Sequence, residues 1–480
     1  MAAAPEALAP SAREALHGKL RPGPGRPASE VAAHQRARIH SAMVGIVAES
    51  GYEAVTAREI ARISGVSTRA FYKHFESKEE CFLRTHELIV RRVARQIVIT
   101  QAGERDWRRR LRLAFNAFVR ELAREPQAAR LALVEAYSAG PAALERIRRS
   151  QCTFEAMLVE SFGRAPDTIV VPQLVIEGVV AGAERIARAR VAAGRERELL
   201  ALGDDLAEWA LCYRSEAAAS LVDLDRIPVP GGPPAWLSPA PSSGTEEGGA
   251  RARSLTNDRA LLLFAVAKLA VAEGYGRLTV PRICKAAGVS RRGFGIHFDG
   301  VGDCFLAALE ERARGAMAHA TAARAGAASW PGGVHRAVAS LCAQIAADPT
   351  LANLCFVEAF APGGDGMRCR ERLMAEIVEL LRNAAPAGGR TDDFTAEAAV
   401  GAIWGVIHHC VVSGRAHQLP RAGAMLSYLA LAPAVGARAA VTAIEDEADE
   451  IVRKHRVKKL DRSDGRRNGH RVDEMLVPMR

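Results

Sequence analysis

Aromatic residues are scarce in this chain: phenylalanine, tryptophan and tyrosine together fill only 5% of its 480 positions. The nine cysteines are dispersed, with no CxxC pair and no Cys/His spacing of the kind that holds zinc, which removes the zinc-finger classes. An odd, scattered set in so long a chain reads as reduced thiols in a cytosol rather than as a disulfide framework. The first twenty residues lack the uninterrupted apolar core of a signal peptide. The most apolar stretch, Ala398 to Ile407, gives way to His408 and His409 after about ten residues, too few to span a bilayer and better read as a buried helix. Nucleophile-elbow, P-loop, HExxH and Rossmann glycine patterns are all missing, so nothing positive supports an enzyme, a cofactor or a metal.

Alanine, leucine, arginine and glutamate are abundant instead, a mixture that favours helix over strand. Hydrophobic residues at 49% and charged residues at 25% suit soluble domains with buried cores. A formal charge of +10 and an isoelectric point near 9.4 fit a polyanionic partner such as nucleic acid. At this length a single core is excluded, and two or more domains are expected. The fold class expected is all-α.

Self-comparison organises the chain. Gly51-Tyr52 recurs as Gly274-Tyr275, Gly65-Val66-Ser67 as Gly288-Val289-Ser290, and Cys81-Phe82-Leu83 as Cys304-Phe305-Leu306, always 223 positions later. Between residues 51 and 83, 14 of 33 positions are identical without a gap, far above what shared composition gives. Trp107 matches Trp330, and Val134-Glu135-Ala136 matches Val357-Glu358-Ala359. A whole two-part unit is therefore duplicated. The expected divisions are an arm at 1–28, a head at 29–100, a helical regulatory region at 101–226 and a linker at 227–253. The second head follows at 254–325, then a second regulatory region at 326–445 and a basic tail at 446–480. Proline, glycine and serine in the linker cannot build a core.

Each head has its own grammar. Helix-spaced apolar residues over 30–50 stop at Gly51. Thr56 caps a second helix, with Glu59 in the capping-box position. Gly65 permits the positive φ of a tight turn, and Ser67 caps a short third helix over Thr68 to Phe75. Helix, turn and short polar-faced helix make a helix-turn-helix. Thr68, Arg69, Tyr72, Lys73 and His74 fall on one side of that last helix, while Ala70, Phe71 and Phe75 are left for the core, as groove reading requires. Helix 4 begins near Ser77, with Lys78 placed to meet a phosphate.

The stretch TAREIARISGVSTRAFYKHFESKEECF resembles the DNA-binding domain of the TetR family of bacterial regulators. Gly65-Val66-Ser67, Phe71-Tyr72, His74-Phe75 and Ser77-Lys78-Glu79 fall where that family's pattern places them, over about residues 30–85. Gly25-Arg26-Pro27 resembles an arm that in some members touches DNA beside the main site. The resemblance implies that Thr56, Tyr72 and Lys78 contact phosphates and that Thr68, Arg69 and Lys73 lie near bases. Arg26, Ser67 and His74 complete the candidate set. It further implies a double-stranded DNA partner, a small-molecule effector of unstated identity, a dimer interface in the regulatory region, and a cytoplasmic, nucleoid-associated protein without a membrane partner.

The second copy, TVPRICKAAGVSRRGFGIHFDGVGDCF, keeps the frame and departs where DNA is read. Gly295, Ile296 and Val301 stand where the first copy has Tyr72, Lys73 and Lys78. Gly293 and Gly295 each weaken a short helix by about 1 kcal/mol. Thr279, Ser290, Arg291, Arg292 and His297 form a second candidate DNA head, and whether it binds stays open.

Elsewhere the milder readings are preferred. Glu135 and Glu358 are expected to be capping, paired or half-exposed rather than pocket anchors. Adjacent His408 and His409 point about 100° apart on a helix and do not share a metal. Cys81 and Cys304 are expected as core thiols. The function expected is a transcriptional regulator, a repressor released by an effector, whose two copies pair as an intramolecular pseudo-dimer or whose chains form a homodimer. The alternative is a small-molecule-binding or protein-interaction module with vestigial heads.

Overall fold

The computed structural model describes residues 27–165, 169, 171–223, 250–383, 392–450 and 453. Arg26, most of the 227–253 linker and nearly all of the basic tail lie outside the described residues. Among the described residues every regular element is helical. The first unit comprises α1 (Ala28–Ala54), α2 (Ala57–Ser64), α3 (Thr68–His74), α4 (Lys78–Gln101), α5 (Trp107–Arg124), α6 (Pro126–Leu133), α7 (Pro141–Gly163), α8 (Gln173–Ala192) and α9 (Gly203–Leu211). The second comprises α10 (Ala250–Glu273), α11 (Val280–Ala287), α12 (Arg291–His297), α13 (Val301–Arg324), α14 (Trp330–Ala347), α15 (Pro349–Phe356), α16 (Gly364–Asn383), α17 (Asp393–Val412) and α18 (Leu419–Val435). A further helix follows at 437–450.

The duplication seen in the sequence reappears in the helix boundaries. Helices α2 to α6 and α11 to α15 begin and end at positions displaced by 223, residue for residue. The caps explain part of this agreement. Ser67 accepts from the Ala70 N–H and Ser290 from the Gly293 N–H, each at 3.0 Å, fixing the first turn of the short third helix in both heads. Gly65 and Gly288 close the preceding helix in the left-handed region, at φ 64° and 69°. Despite its two glycines, α12 is as long as α3. Phe294 and Phe298 anchor it with rings 5.7 Å apart, the spacing of Phe71 and Phe75 in the first head, and this burial outweighs the weak propensity.

The core of each head runs on into regulatory residues, Tyr137 and Phe360 in the first and Leu354 and Cys369 in the second, while the regulatory helices of both units share a further one. That shared core runs from Trp107 and Val179 through Ala402 to Leu429 and Ile444. Its centre is the crossing of the equivalent helices α8 and α17. Gly178 and Gly182 on α8 correspond to Gly401 and Gly405 on α17, a GxxxG spacing in each. A Cβ on Gly401 would sit 2.6 Å from the Arg185 Cβ and 3.3 Å from the Gly182 Cα, and one on Gly405 would sit 2.2 Å from the Ala181 Cβ. Only glycine permits that approach. Polar bonds then pin the register: Tyr213 donates its hydroxyl to the Leu429 carbonyl at 2.8 Å, and Arg190 pairs with Glu397 at 2.5 Å. Helix α17 is the one described helix long and apolar enough to cross a membrane by length and composition. Its apolar surface is packed against α8, α16, α18 and α15.

Candidate nucleic-acid interface

The recognition surface of the first head starts from its core. Ile39, Met43, Ile60 and Phe71 are fully buried, and they hold α3 against α1 and α2. With Phe71 and Phe75 facing inward, Thr68, Arg69, Tyr72 and Lys73 are left exposed on the opposite side. Tyr72, 55% exposed, is among the largest apolar surfaces left open in the molecule. Leaving so much ring in water has no folding benefit, and the ring stands beside the polar side chains of the same face. Thr56 caps α2 by accepting the Glu59 N–H at 3.2 Å. Its hydroxyl lies at the positive end of the helix, where an anion is also welcome.

Besides the capping Thr56, three of the sequence-named residues are engaged within the protein. The Lys78 ammonium donates to the Val55 carbonyl at 3.0 Å, reaches those of Glu53 and Tyr52 at 3.4 and 3.5 Å, and lies 4.7 Å from the centre of the Tyr52 ring. It thus caps the carbonyl end of α1. His74 Nε2 meets Gln35 Oε1 at 2.9 Å, tying α3 to α1. Ser67 is occupied by its cap. The candidate side chains left exposed together are therefore Thr68, Arg69, Tyr72 and Lys73.

The second head presents a different surface on the same scaffold. Arg291 and Arg292 are exposed at the start of α12. Beyond them the face carries exposed Gly295 and Ile296, the latter 59% exposed. Ser290 is occupied by its cap, and Thr279 precedes α11 without a side-chain capping bond. The His297 Nε2, whose counterpart His74 meets Gln35, is buried without a hydrogen-bond partner. Position 258, equivalent to Gln35, is Asp258.

Glu135 and Glu358, left by the sequence as paired or half-exposed groups, perform the same task in each unit. Glu135 accepts the Tyr52 backbone N–H at 3.2 Å, and Glu358 accepts that of Tyr275 at 2.9 Å. Each bond ties the corner after the first helix of a head to its regulatory bundle. Cys81 and Cys304 are fully buried, and burial raises both thiols, that of Cys304 to about 12. His408 donates from Nδ1 to the Phe356 carbonyl at 2.7 Å and stacks on Trp404, with ring centres 4.8 Å apart.

Two cavities at equivalent places in the regulatory bundles have no local signature in the sequence. The first has about 810 Å³ of empty space, part of it open to solvent, between α4, α5, α7 and α8. His86, Ser150, Gln151 and Glu184 give its wall a polar side. Glu184 accepts from the Tyr137 hydroxyl at 2.5 Å and from Gln151 at 2.6 Å. Burial holds His86 neutral by lowering it to about 4. The second cavity, at 820 Å³, is lined by equivalent positions whose residues are nearly all apolar. His86, Ser150, Gln151 and Glu184 are replaced there by Leu309, Leu373, Met374 and Ile407. Substitution at matched positions 223 apart was the available signal.

Two helix-turn-helix heads on helical bundles that pair through equivalent helices define a DNA-binding regulator of transcription. Residues 41–85 and 262–308 each match the family of bacterial regulatory proteins, tetR family. The chain is built from two tandem TetR-like units. Among solved structures, it is similar to the fatty acid degradation regulator FadR from Bacillus halodurans, at 18% identity over 36% of this chain and 96% of that one, with a TM-score of 0.34. FadR from Bacillus subtilis in complex with stearoyl-CoA aligns at 18% identity over the same shares, with a TM-score of 0.33. A TetR family regulator from Marinobacter aquaeolei VT8 aligns at 21% identity over 37% of this chain and 94% of that one, with a TM-score of 0.31. No curated protein matches the chain.

Proposed function

We propose that this protein is a cytoplasmic, nucleoid-associated transcriptional repressor that binds operator DNA through its first helix-turn-helix and is released by a small molecule held in its regulatory bundle. The observation that carries this reading is the exposed set Thr68, Arg69, Tyr72 and Lys73 on a helix whose other face is locked into a core. Repressor rather than activator rests on the family resemblance. The α8–α17 crossing supports a covalent pseudo-dimer, in which one chain supplies both heads that a symmetric regulator draws from two. Two-fold dimers read half-sites about 34 Å apart. Unequal heads therefore call for an unequal operator, read strongly on one half. An effector acts by binding the released arrangement better than the DNA-bound one.

Selection of genomic fragments by the purified protein, followed by footprinting at physiological salt, tests this. The expected footprint has one half that Arg69→Ala abolishes and one that it spares. Correctly folded protein that protects no site above non-specific binding would contradict the reading.

A further inference from the structure

The second cavity contains a single charged wall residue, Arg370. It is 3% exposed, and the rest of the wall is apolar, with Leu309, Met374, Ile403 and Trp404 among its residues. Nη1 of Arg370 donates to Glu371 Oε1 at 2.5 Å, and the guanidinium lies 3.8 Å from the Trp404 ring centre. Its Nε and Nη2 are buried and have no hydrogen-bond partner among the described residues. A guanidinium keeps its charge and presents its donors as a planar fork. Buried N–H groups of a cation left without acceptors are costly, and a native structure that keeps them needs a reason.

The surrounding charge is unbalanced in the same sense. Arg185 and Arg188 of α8 face Arg370 across the unit boundary, and Glu184 and Glu371 oppose them. Three guanidinium groups thus meet two carboxylates. Burial first, then Arg188 and Arg185, push the Arg370 guanidinium well below its ordinary range. One further negative charge would balance the cluster. The first cavity lacks this arrangement, since Ile147 stands at the position of Arg370 and the Glu184 carboxylate at that of Ile407.

We propose that the second cavity binds an amphipathic carboxylate, its head pairing with the unpartnered N–H groups of Arg370 as that side chain turns toward it, and its apolar body lying among Leu309, Met374 and Ile403. A carboxylate matches the two unpartnered donor nitrogens in number and plane, and the apolar wall rewards burial of a hydrocarbon body. This deepens the effector reading given above and rests on it for its regulatory meaning. The link to regulation is Glu371, which also accepts from Arg185 and lies 3.9 Å from the Arg188 Nε. A ligand that draws Arg370 toward itself disturbs an ion-pair chain running from α16 to α8.

Calorimetric titration of the full-length protein with decanoate and with decan-1-ol, without DNA, tests the site. Decanoate is expected to bind saturably and more tightly than the alcohol. Arg370→Met should weaken decanoate by roughly ten- to a hundredfold, the scale of a charge-assisted hydrogen bond, and leave the alcohol unchanged. If Arg370→Met does not fold, Arg370→Lys, which keeps the charge and loses the fork, should weaken decanoate by several fold. Decanoate binding that is equal in the wild type and a folded Arg370 variant, or no tighter than the alcohol, overturns the proposal. A parallel titration of the DNA complex keeps the two readings apart. Arg370-dependent binding that leaves DNA binding untouched supports the site and removes the effector role. Specific DNA binding with no Arg370-dependent uptake of decanoate removes the site and leaves the regulator.

Discussion

The Glu135 carboxylate accepts the backbone N–H of Tyr52 at 3.2 Å, and 223 residues later Glu358 does the same for Tyr275 at 2.9 Å. Each bond spans 83 residues and joins a head to its bundle. Gly51, with φ 75°, and Gly274, with φ 84°, turn the chain so that the following N–H points at the carboxylate. Arg130 pairs with Glu135 at 3.5 Å, beside this bond.

Loss of this bond should loosen the first head without unfolding it. Glu135→Ala removes a charge-assisted bond of about 1.5–3 kcal/mol, discounted because the site is partly wet. Amide exchange at Tyr52 is expected to accelerate while exchange at Tyr275 stays unchanged, and Glu135→Gln, which keeps an acceptor, should have the smaller effect. Residue-resolved hydrogen exchange reads both corners at once. Unchanged protection at Tyr52 in Glu135→Ala would remove the bond from the account.

The crossing of α8 and α17 should tolerate no side chain at its centre. Gly401→Ala places a Cβ 2.6 Å from that of Arg185, forcing the helices apart at a cost of about 1–3 kcal/mol. Gly45, also helical but with nothing within 4 Å of its Cβ position, provides the control. Gly45→Ala should stabilise by about 0.5–1 kcal/mol. Urea unfolding of both variants checks the pair, and a neutral Gly401→Ala would show that the two units do not rest on each other there.

Acid should destabilise the protein well above the range in which carboxylates titrate. Burial lowers His86 to about 4, and burial with Arg336 nearby lowers His335 to about 4. Both side chains are nearly inaccessible. His335 Nδ1 meets Ser427 Oγ at 2.9 Å, and that hydroxyl already donates to the Gly423 carbonyl, so the ring is the donor. The folded pKa lies below the unfolded value of about 6.5, so the unfolded chain binds more protons between the two. Stability is therefore complete above pH 6.5 and is lost as pH falls toward 4. At pH 5 the loss is about 2 kcal/mol for each histidine. His86→Leu, the residue found at the equivalent Leu309, should remove its share of the difference between urea midpoints at pH 7 and pH 5. An undiminished difference would place the acid sensitivity elsewhere.

Local signals made the heads legible in the sequence. Thr56, Gly65, Ser67 and Ser77 are caps and turns whose effect lies within four residues, and the structure puts a helix boundary beside each. The duplication was equally plain, because cores repeat residue types at fixed positions. Long-range partners were hidden. Lys78 faces the carbonyl end of α1 rather than open solvent because Val55 and Tyr52 are carried there by the fold. His74 finds Gln35, and Glu135 finds Tyr52, for the same reason. The GxxxG pairs Gly178/Gly182 and Gly401/Gly405 were visible as spacing, but small residues say close approach without saying to what. Arg370 was one arginine among many until the fold enclosed it.

The central claim is that one chain supplies both heads to one operator. Sedimentation equilibrium of the full-length protein on its selected DNA site tests it most directly. The account predicts one 51.4 kDa chain per duplex across the range in which binding saturates. Two chains on each duplex, assembling cooperatively, would contradict it and restore a symmetric site read by two first heads.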